Sequence, residues 1–537
     1  MFSYNMPVLK FNIDKKKLSV LFMALYVLSL VPMLILGFYD WPSADDYTMA
    51  LQPHLYFVEN GGFLGTVWAS LQKSWFVYSQ YEGYFFSIIL TCICPSVFGE
   101  AWYAMTPFLI LGMLTFGVCY FFDALFVKAW KLDKDLSRIG AMITLILMIH
   151  CLEEGPTRAE AFYWYSGAIN YTFTFGMAFF WLGLVIRTVY DADAKARKRK
   201  LFWAAFWGFW MGGANYLSAL ELAICSVLIL VICFMVKAGR FRLEGVSEDQ
   251  KKSFGFIWIP AVMNLIGFAF SCFSPGNATR SEEVEAHFGA VKSVFLSLFS
   301  TLNVMTNDMM RWEVLVALLL LVPVFWTMAA DLKQKLQHPV MFALFAYLLV
   351  SSNVTPPYYA VGNMVAGRLR ALAWMEFVFM LVLTVFYFTS WARQHLEGKL
   401  GAQEAEKSVS GMAKPGEDSG AGVAKDKFSE TASMLIVMCL AFLIGGSVLC
   451  VIPDEHYYCA TSAAYDLVSG TAAGYKAENL ARLELLKDES LSDVALKSYE
   501  NRPEMLIYID ITPDESDWLN MAVATYYGKN TVVLEKR

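Results

Sequence analysis

The stretch KKKLSVLFMALYVLSLVPMLILGFYDWPSADDY, residues 15–47, decides how this chain is read. Three lysines precede the apolar run Leu18–Phe38. About 20 apolar residues cross the hydrocarbon core of a bilayer as a helix. The run is too long for a signal-peptide core and carries no small-residue cleavage site, so it reads as an uncleaved first membrane helix. Lysines on the near side put the N-terminus in the cytoplasm. The loop 40–82 then lies outside, and it opens with the acidic pair Asp45-Asp46.

The rest of the chain agrees with that start. Of 537 residues, 57% are hydrophobic and 17% charged, with mean hydropathy +0.46. Soluble domains are nearer half apolar and a quarter charged. This composition excludes a disordered chain, a nucleic-acid-binding protein and a small disulfide scaffold. Most of the cysteines sit inside apolar runs, where they act as small hydrophobes; only Cys450 and Cys459 are placed to pair. No C-x-x-C or H-E-x-x-H spacing marks a metal site.

Further apolar runs cover Tyr84–Phe98, Trp102–Phe126, Ile139–Leu152, Tyr171–Tyr190, Leu201–Ala214 and Tyr216–Val236. They continue with Phe254–Phe273, Val314–Ala330, Val340–Val350, Leu372–Trp391 and Ala432–Ile452. Lys/Arg-rich loops, such as Lys195–Lys200, belong inside. Residues 153–170 belong outside, which an odd number of crossings after the first outer loop does not allow. One of the short runs, Tyr84–Phe98 with its Pro95 or Ile139–Leu152, is therefore expected not to cross, leaving about eleven spans. The fold class is an all-α polytopic membrane protein, with residues 1–453 as the transmembrane domain. Residues 394–428, rich in Gly, Ala, Lys and Glu, read as a flexible cytoplasmic linker. The segment 454–537 mixes charged and apolar residues and reads as a small extracytoplasmic α+β domain. Its helices are expected over Gly474–Leu486 and Glu515–Tyr526, its strands over Met505–Asp510 and Thr531–Leu534.

Ionisable residues near membrane segments are costly and often functional. Most of the conspicuous ones gather at the outer ends of the spans. Asp45 and Asp46 suit a general base or a metal ligand; the competing reading is a loop that caps the next helix. Glu221 falls inside a span, where an interhelical hydrogen bond is the alternative to a functional role. Ser274–Arg280 closes a span with a Pro275-Gly276-Asn277 turn, and Arg280 adds a fork suited to phosphate. Glu160, Trp164 and the aromatics up to Tyr171 would stack on sugar faces or form an interfacial belt. Glu82, Arg158, Asn215 and Arg368 complete the polar set.

Taken in order, these pieces resemble the GT-C class of membrane glycosyltransferases, and more closely a bacterial family of uncharacterised GT-C-like multi-pass proteins. The matching segments are 43–47, 81–84, 162–171, Asn215-Tyr216 with Glu221, Pro275-Gly276-Asn277 with Arg280, and Asp517–Asn520 before 522–528. That family often carries Asn-Gly-Arg where this chain has Glu82-Gly83-Tyr84, which moves a phosphate-holding role to Arg280, Arg158 or Arg368.

The resemblance implies a GT-C-like fold and transfer of a sugar from a polyprenyl-phosphate donor to a cell-envelope glycan or polymer. Asp45 or Asp46 would deprotonate the acceptor hydroxyl. Arg280, Asn277, Arg158 and Arg368 would hold the donor phosphate, and Glu82, Glu160, Trp164, Asn215 and Glu221 the substrates. The implied setting is a bacterial cytoplasmic membrane, with a separate flippase and donor synthase as partners and no nucleic acid. No cofactor is named by the sequence; a divalent metal is compatible with it and not required. A lipid-linked oligosaccharide polymerase and a flippase of lipid-linked sugar are the alternative readings.

Overall fold

The computed structural model describes residues 12–241, 246–283, 288–409 and 426–535. Among them, nine helical stretches are long and apolar enough to cross a membrane, from Lys15–Tyr39 to Glu430–Val451. This is the architecture of a polytopic helical membrane protein. The helix Lys134–His150 is shorter, and Ala194–Gly212 begins with a Lys/Arg cluster. Both nevertheless pack within the body, the first against Lys15–Leu36 and the second against Trp258–Cys272. Small residues let these helices approach closely: Gly212 lies against the backbone of Asn264 and Gly267, and Gly117 against Gly176. Packing rather than hydrophobic transfer drives such contacts in lipid.

The run Tyr84–Phe98 forms the eight-residue helix Phe85–Cys92 and then a single 3-10 turn, Pro95–Phe98. Eight residues rise about 12 Å, far short of the ~30 Å core. The broken backbone is satisfied inside the protein, where Phe86 N donates to Gly213 O at 2.8 Å. The helix Ala290–Val304 was not legible as an apolar run, because Ser293, Ser297 and Thr301 interrupt it; those three form its buried face. The helix Phe63–Gln80 turns Phe63, Leu64, Trp68 and Trp75 outward and buries Ser70 and Ser74.

The expected linker 394–428 is corrected where it is described. The helix that begins at Gly367 continues to Val409, and residues 410–425 lie outside the described residues. Beyond them Phe428 is fully buried and its N–H donates to Ile13 O at 2.9 Å.

In the C-terminal segment the helices Thr471–Lys487 and Trp518–Tyr526 lie close to their expected positions. Met505–Asp510 is not a strand. The strand Asp493–Leu496 pairs instead, in parallel, with Thr531–Leu534. Met505 and Leu506 are buried as a strand's residues would be. Their segment is held by side chains instead: Arg482 forks onto Asp510 at 2.8 and 2.9 Å. The apolar core of this segment is continuous with that of the helical body. Cys450 and Cys459 are both free thiols.

Candidate active site

The site forms at the end of the helical body where the first helix gives way to Asp40. Ala44 stands at φ +50°, a region that residues with a Cβ avoid. Such strain costs of order 1–3 kcal/mol and persists only where the surroundings fix it. Here Ala44 is packed against Trp164 and Leu519. The bend starts the helix Asp45–Asn60 and sends its first two carboxylates in different directions.

Asp46 points inward and is fully buried. Its Oδ1 accepts from Ser166 N at 2.9 Å and Ser166 Oγ at 2.6 Å. Its Oδ2 accepts from Ser43 N at 3.0 Å and Tyr103 Oη at 2.6 Å. Burial raises this carboxyl to about 6, against the pull of those donors. Four donors on two oxygens leave no lone pair directed at a substrate. Asp46 fastens the loop to the body.

Asp45 is half-buried, and its carboxylate takes no hydrogen bond among the described residues. Burial raises it above the ordinary carboxylate range, while Arg368 and then Arg280 pull it down. It therefore lies within the field of both guanidinium groups, with no hydrogen bond to its oxygens among the described residues.

Each arginine is anchored by a glutamate. Arg280 contacts Glu82 and lies over the Tyr81 ring at 5.1 Å. Burial and the Asp45 charge push Glu82 up, and Arg368 opposes them. The expected Pro275-Gly276-Asn277 turn is in fact the start of a helix, Pro275–Glu283, with proline in its first turn. Gly276 is required there, since a methyl group would stand 2.7 Å from Tyr78 O and Tyr81 N. Arg368 Nη1 donates to Glu160 Oε2 at 2.8 Å. Glu160 also accepts from the backbone N–H groups of Gly367 and Arg368 at 2.9 and 3.1 Å, capping the helix that carries Arg368. Arg368 lies 5.2 Å from the ring of Trp164 and 5.8 Å from that of Tyr171.

Trp164 completes the wall. Its indole N–H donates to Ser43 O at 3.1 Å, and Tyr508 stacks on it with centroids 3.9 Å apart. Tyr508 was missed by sequence reasoning: it falls in the run Met505–Asp510 expected as a strand, where nothing marks this ring as facing the site, and only the tertiary fold brings it beside Arg368.

Several expected site residues are engaged elsewhere. Arg158 is corrected: it is fully buried, and its guanidinium donates to Leu152 O, His456 O, Tyr457 O and Glu504. It ties the C-terminal segment to the body and has no face left for phosphate. Asn277 accepts from Gly83 N at 3.0 Å and Tyr216 Oη at 2.7 Å, while its amide donates to Ser271 O and Cys272 O. Asn215 caps the helix Tyr216–Lys237. Glu221 lies one and a half turns farther along that helix, against Glu376 and Asn353. Among the described residues, no group of three His, Cys, Asp or Glu side chains is arranged as metal ligands.

The arrangement is an alternation of charge, Glu82–Arg280–Asp45–Arg368–Glu160, with aromatic rings beside both arginines. Chemically it offers one unbonded base, two fork-shaped donors for an anion and flat surfaces for a ring. No protein-family model and no curated protein matches the chain.

Proposed function

We propose that this protein is a membrane glycosyltransferase of GT-C-like architecture, moving a sugar from a polyprenyl-phosphate donor to a cell-envelope glycan or polymer. The observation that carries this reading is the free Asp45 carboxylate facing Arg280 and Arg368, beside the Trp164–Tyr508 stack. A hydroxyl of the acceptor attacks the anomeric carbon as the bond from that carbon to the phosphate oxygen breaks. Asp45 takes the hydroxyl proton, and the polyprenyl phosphate leaves with the bonding electrons. Negative charge develops on the departing phosphate, where two fixed guanidinium groups stabilise the transition state more than the ground state. Arg280 and Arg368 replace the four-residue phosphate set expected from sequence.

Counting Lys134–His150 and Ala194–Gly212 with the nine longer helices gives eleven spans. The Lys/Arg-rich ends then fall inside, and the site and the C-terminal segment outside, in a bacterial cytoplasmic membrane. Gathering of these charges at one end of the body favours transfer over transport, which needs access from both faces.

The test is turnover by the purified full chain of a labelled polyprenyl-phosphate sugar, with released polyprenyl phosphate as readout. Wild-type turnover that persists unchanged in Asp45→Asn removes the reading. Cysteine labelling of intact cells at Ser490, an exposed position of the tail, checks the sidedness independently.

A further inference from the structure

A cavity of about 230 Å³ lies against the helix that begins at Gly367, away from the Asp45 site. Arg368 serves the Asp45 site, whereas Arg370, two residues on, lines this cavity. The space exceeds the ~150 Å³ that admits a benzene ring into an apolar core. Part of its wall is apolar, formed by Leu152, Val304, Val350, Val354, Met364 and Trp374. The helix Ala290–Val304, which forms one wall, turns Phe295, Phe299 and Leu302 outward.

The polar lining is mixed in charge. Arg370 Nη1 pairs with Glu153 at 2.5 Å and Nη2 donates to Thr157 at 3.2 Å, yet its Nε is buried without a partner. Thr301, 97% buried, lines the same cavity with its hydroxyl also unpartnered. Arg311 is held by Glu313 at 3.1 Å and by Cys151 O at 3.2 Å. Asp308 lines the cavity, is exposed and makes no ion pair among the described residues. Two orphaned hydrogen-bonding groups, Arg370 Nε and Thr301 Oγ1, want an acceptor such as phosphate. The free carboxylate of Asp308 repels a purely anionic headgroup and attracts a cationic one. Apolar walls ask for a hydrocarbon chain.

We infer that this cavity binds a zwitterionic phospholipid of the phosphatidylethanolamine type. Its phosphate meets Arg370 and Thr301, its ammonium meets Asp308, and the start of one chain fills the space along Val304, Val350 and Trp374. At roughly 30 Å³ per water-sized group the cavity holds only that first part, and the remainder lies along the outward apolar face. The inference does not rest on the transferase reading.

Native mass spectrometry of the purified full chain tests it, with phosphatidylethanolamine and phosphatidylglycerol of identical chains added at equal concentration. The wild type should retain one phosphatidylethanolamine several-fold in preference to phosphatidylglycerol. Asp308→Asn, at an exposed position, should erase the preference while leaving the fold intact. Arg370→Gln should lower retention of both lipids about tenfold. Ala373→Leu, which fills the cavity, should do the same, with thermal stability measured alongside. Equal retention of the two lipids by the wild type, an unchanged preference in Asp308→Asn, or displacement by millimolar inorganic phosphate would each overturn the assignment.

Discussion

Asp46 and Ser166 lie 120 residues apart in the chain and are joined twice, by the backbone N–H and the hydroxyl of Ser166 donating to one carboxylate oxygen at 2.9 and 2.6 Å. This pair of hydrogen bonds fixes the loop to the body, and the neighbouring Asp45 carboxylate is left unbonded among the described residues. Two adjacent residues of one type thus take different surroundings, one fastened to the body and one open.

The two aspartates should separate in a paired measurement. Asp45→Asn should lower turnover about 10²-fold or more while thermal stability stays near wild type. Asp46→Asn places an amide N–H₂ against the Ser43 and Tyr103 donors and should cost about 2 kcal/mol or more in stability. Thermal-shift assays with turnover on the same preparations decide it; the reverse pattern would move the base to Asp46.

Arg280 should show a graded response. Arg280→Lys keeps the charge and loses the fork, and Arg280→Gln loses both. Turnover should fall in that order, with Gln the worse. A merely structural arginine would tolerate Lys fully and lose only a little stability as Gln.

The pH profile reports on Arg368. Asp45 must be ionised to accept a proton, and burial places its titration above the usual carboxylate range. Rate should therefore fall on the acid side, as pH drops through that raised value. Arg368 holds the value down. Arg368→Gln should move the acid limb to higher pH in addition to lowering the plateau. A limb that stays in place would mean that Arg368 does not act on Asp45.

Glu160 is a positioning residue for Arg368. Glu160→Gln keeps size but cannot accept all three bonds from Gly367 N, Arg368 N and Arg368 Nη1 as a charge. Turnover should drop about tenfold, the equivalent of ~1.4 kcal/mol. Removing the Glu160 charge leaves the pull of an Arg368 still in place stronger on Asp45 and moves the acid limb to lower pH. A displaced Arg368 moves it to higher pH, as Arg368→Gln does; the higher-pH shift is expected.

Arg158 should matter for assembly and not for chemistry alone. Arg158→Met takes the opposite charge from Glu504 and the donors from three carbonyl groups, and breaking a buried pair typically costs about 3–5 kcal/mol. Limited proteolysis should release the segment after Val451 far faster than in the wild type. Resistance equal to wild type would contradict the tether.

The sequence by itself determined the class of molecule. Runs such as Leu18–Phe38 are a property of local composition, and a bilayer-length apolar stretch has few alternatives to a helix. It also marked Asp45, Arg280, Glu160 and Arg368, because charges beside membrane segments stand out. It passed over Ala290–Val304, whose apolar run is interrupted by buried serines, and misread Met505–Asp510, whose apolar residues look like strand. Local pattern reports burial, not which partner satisfies the backbone. Only the tertiary structure fastened Asp46 and left the Asp45 carboxylate unbonded among the described residues, withdrew Arg158 to a tether and brought Tyr508 onto Trp164. Those outcomes depend on contacts between residues far apart in the chain, where one carboxylate finds four donors and its neighbour finds none among the described residues.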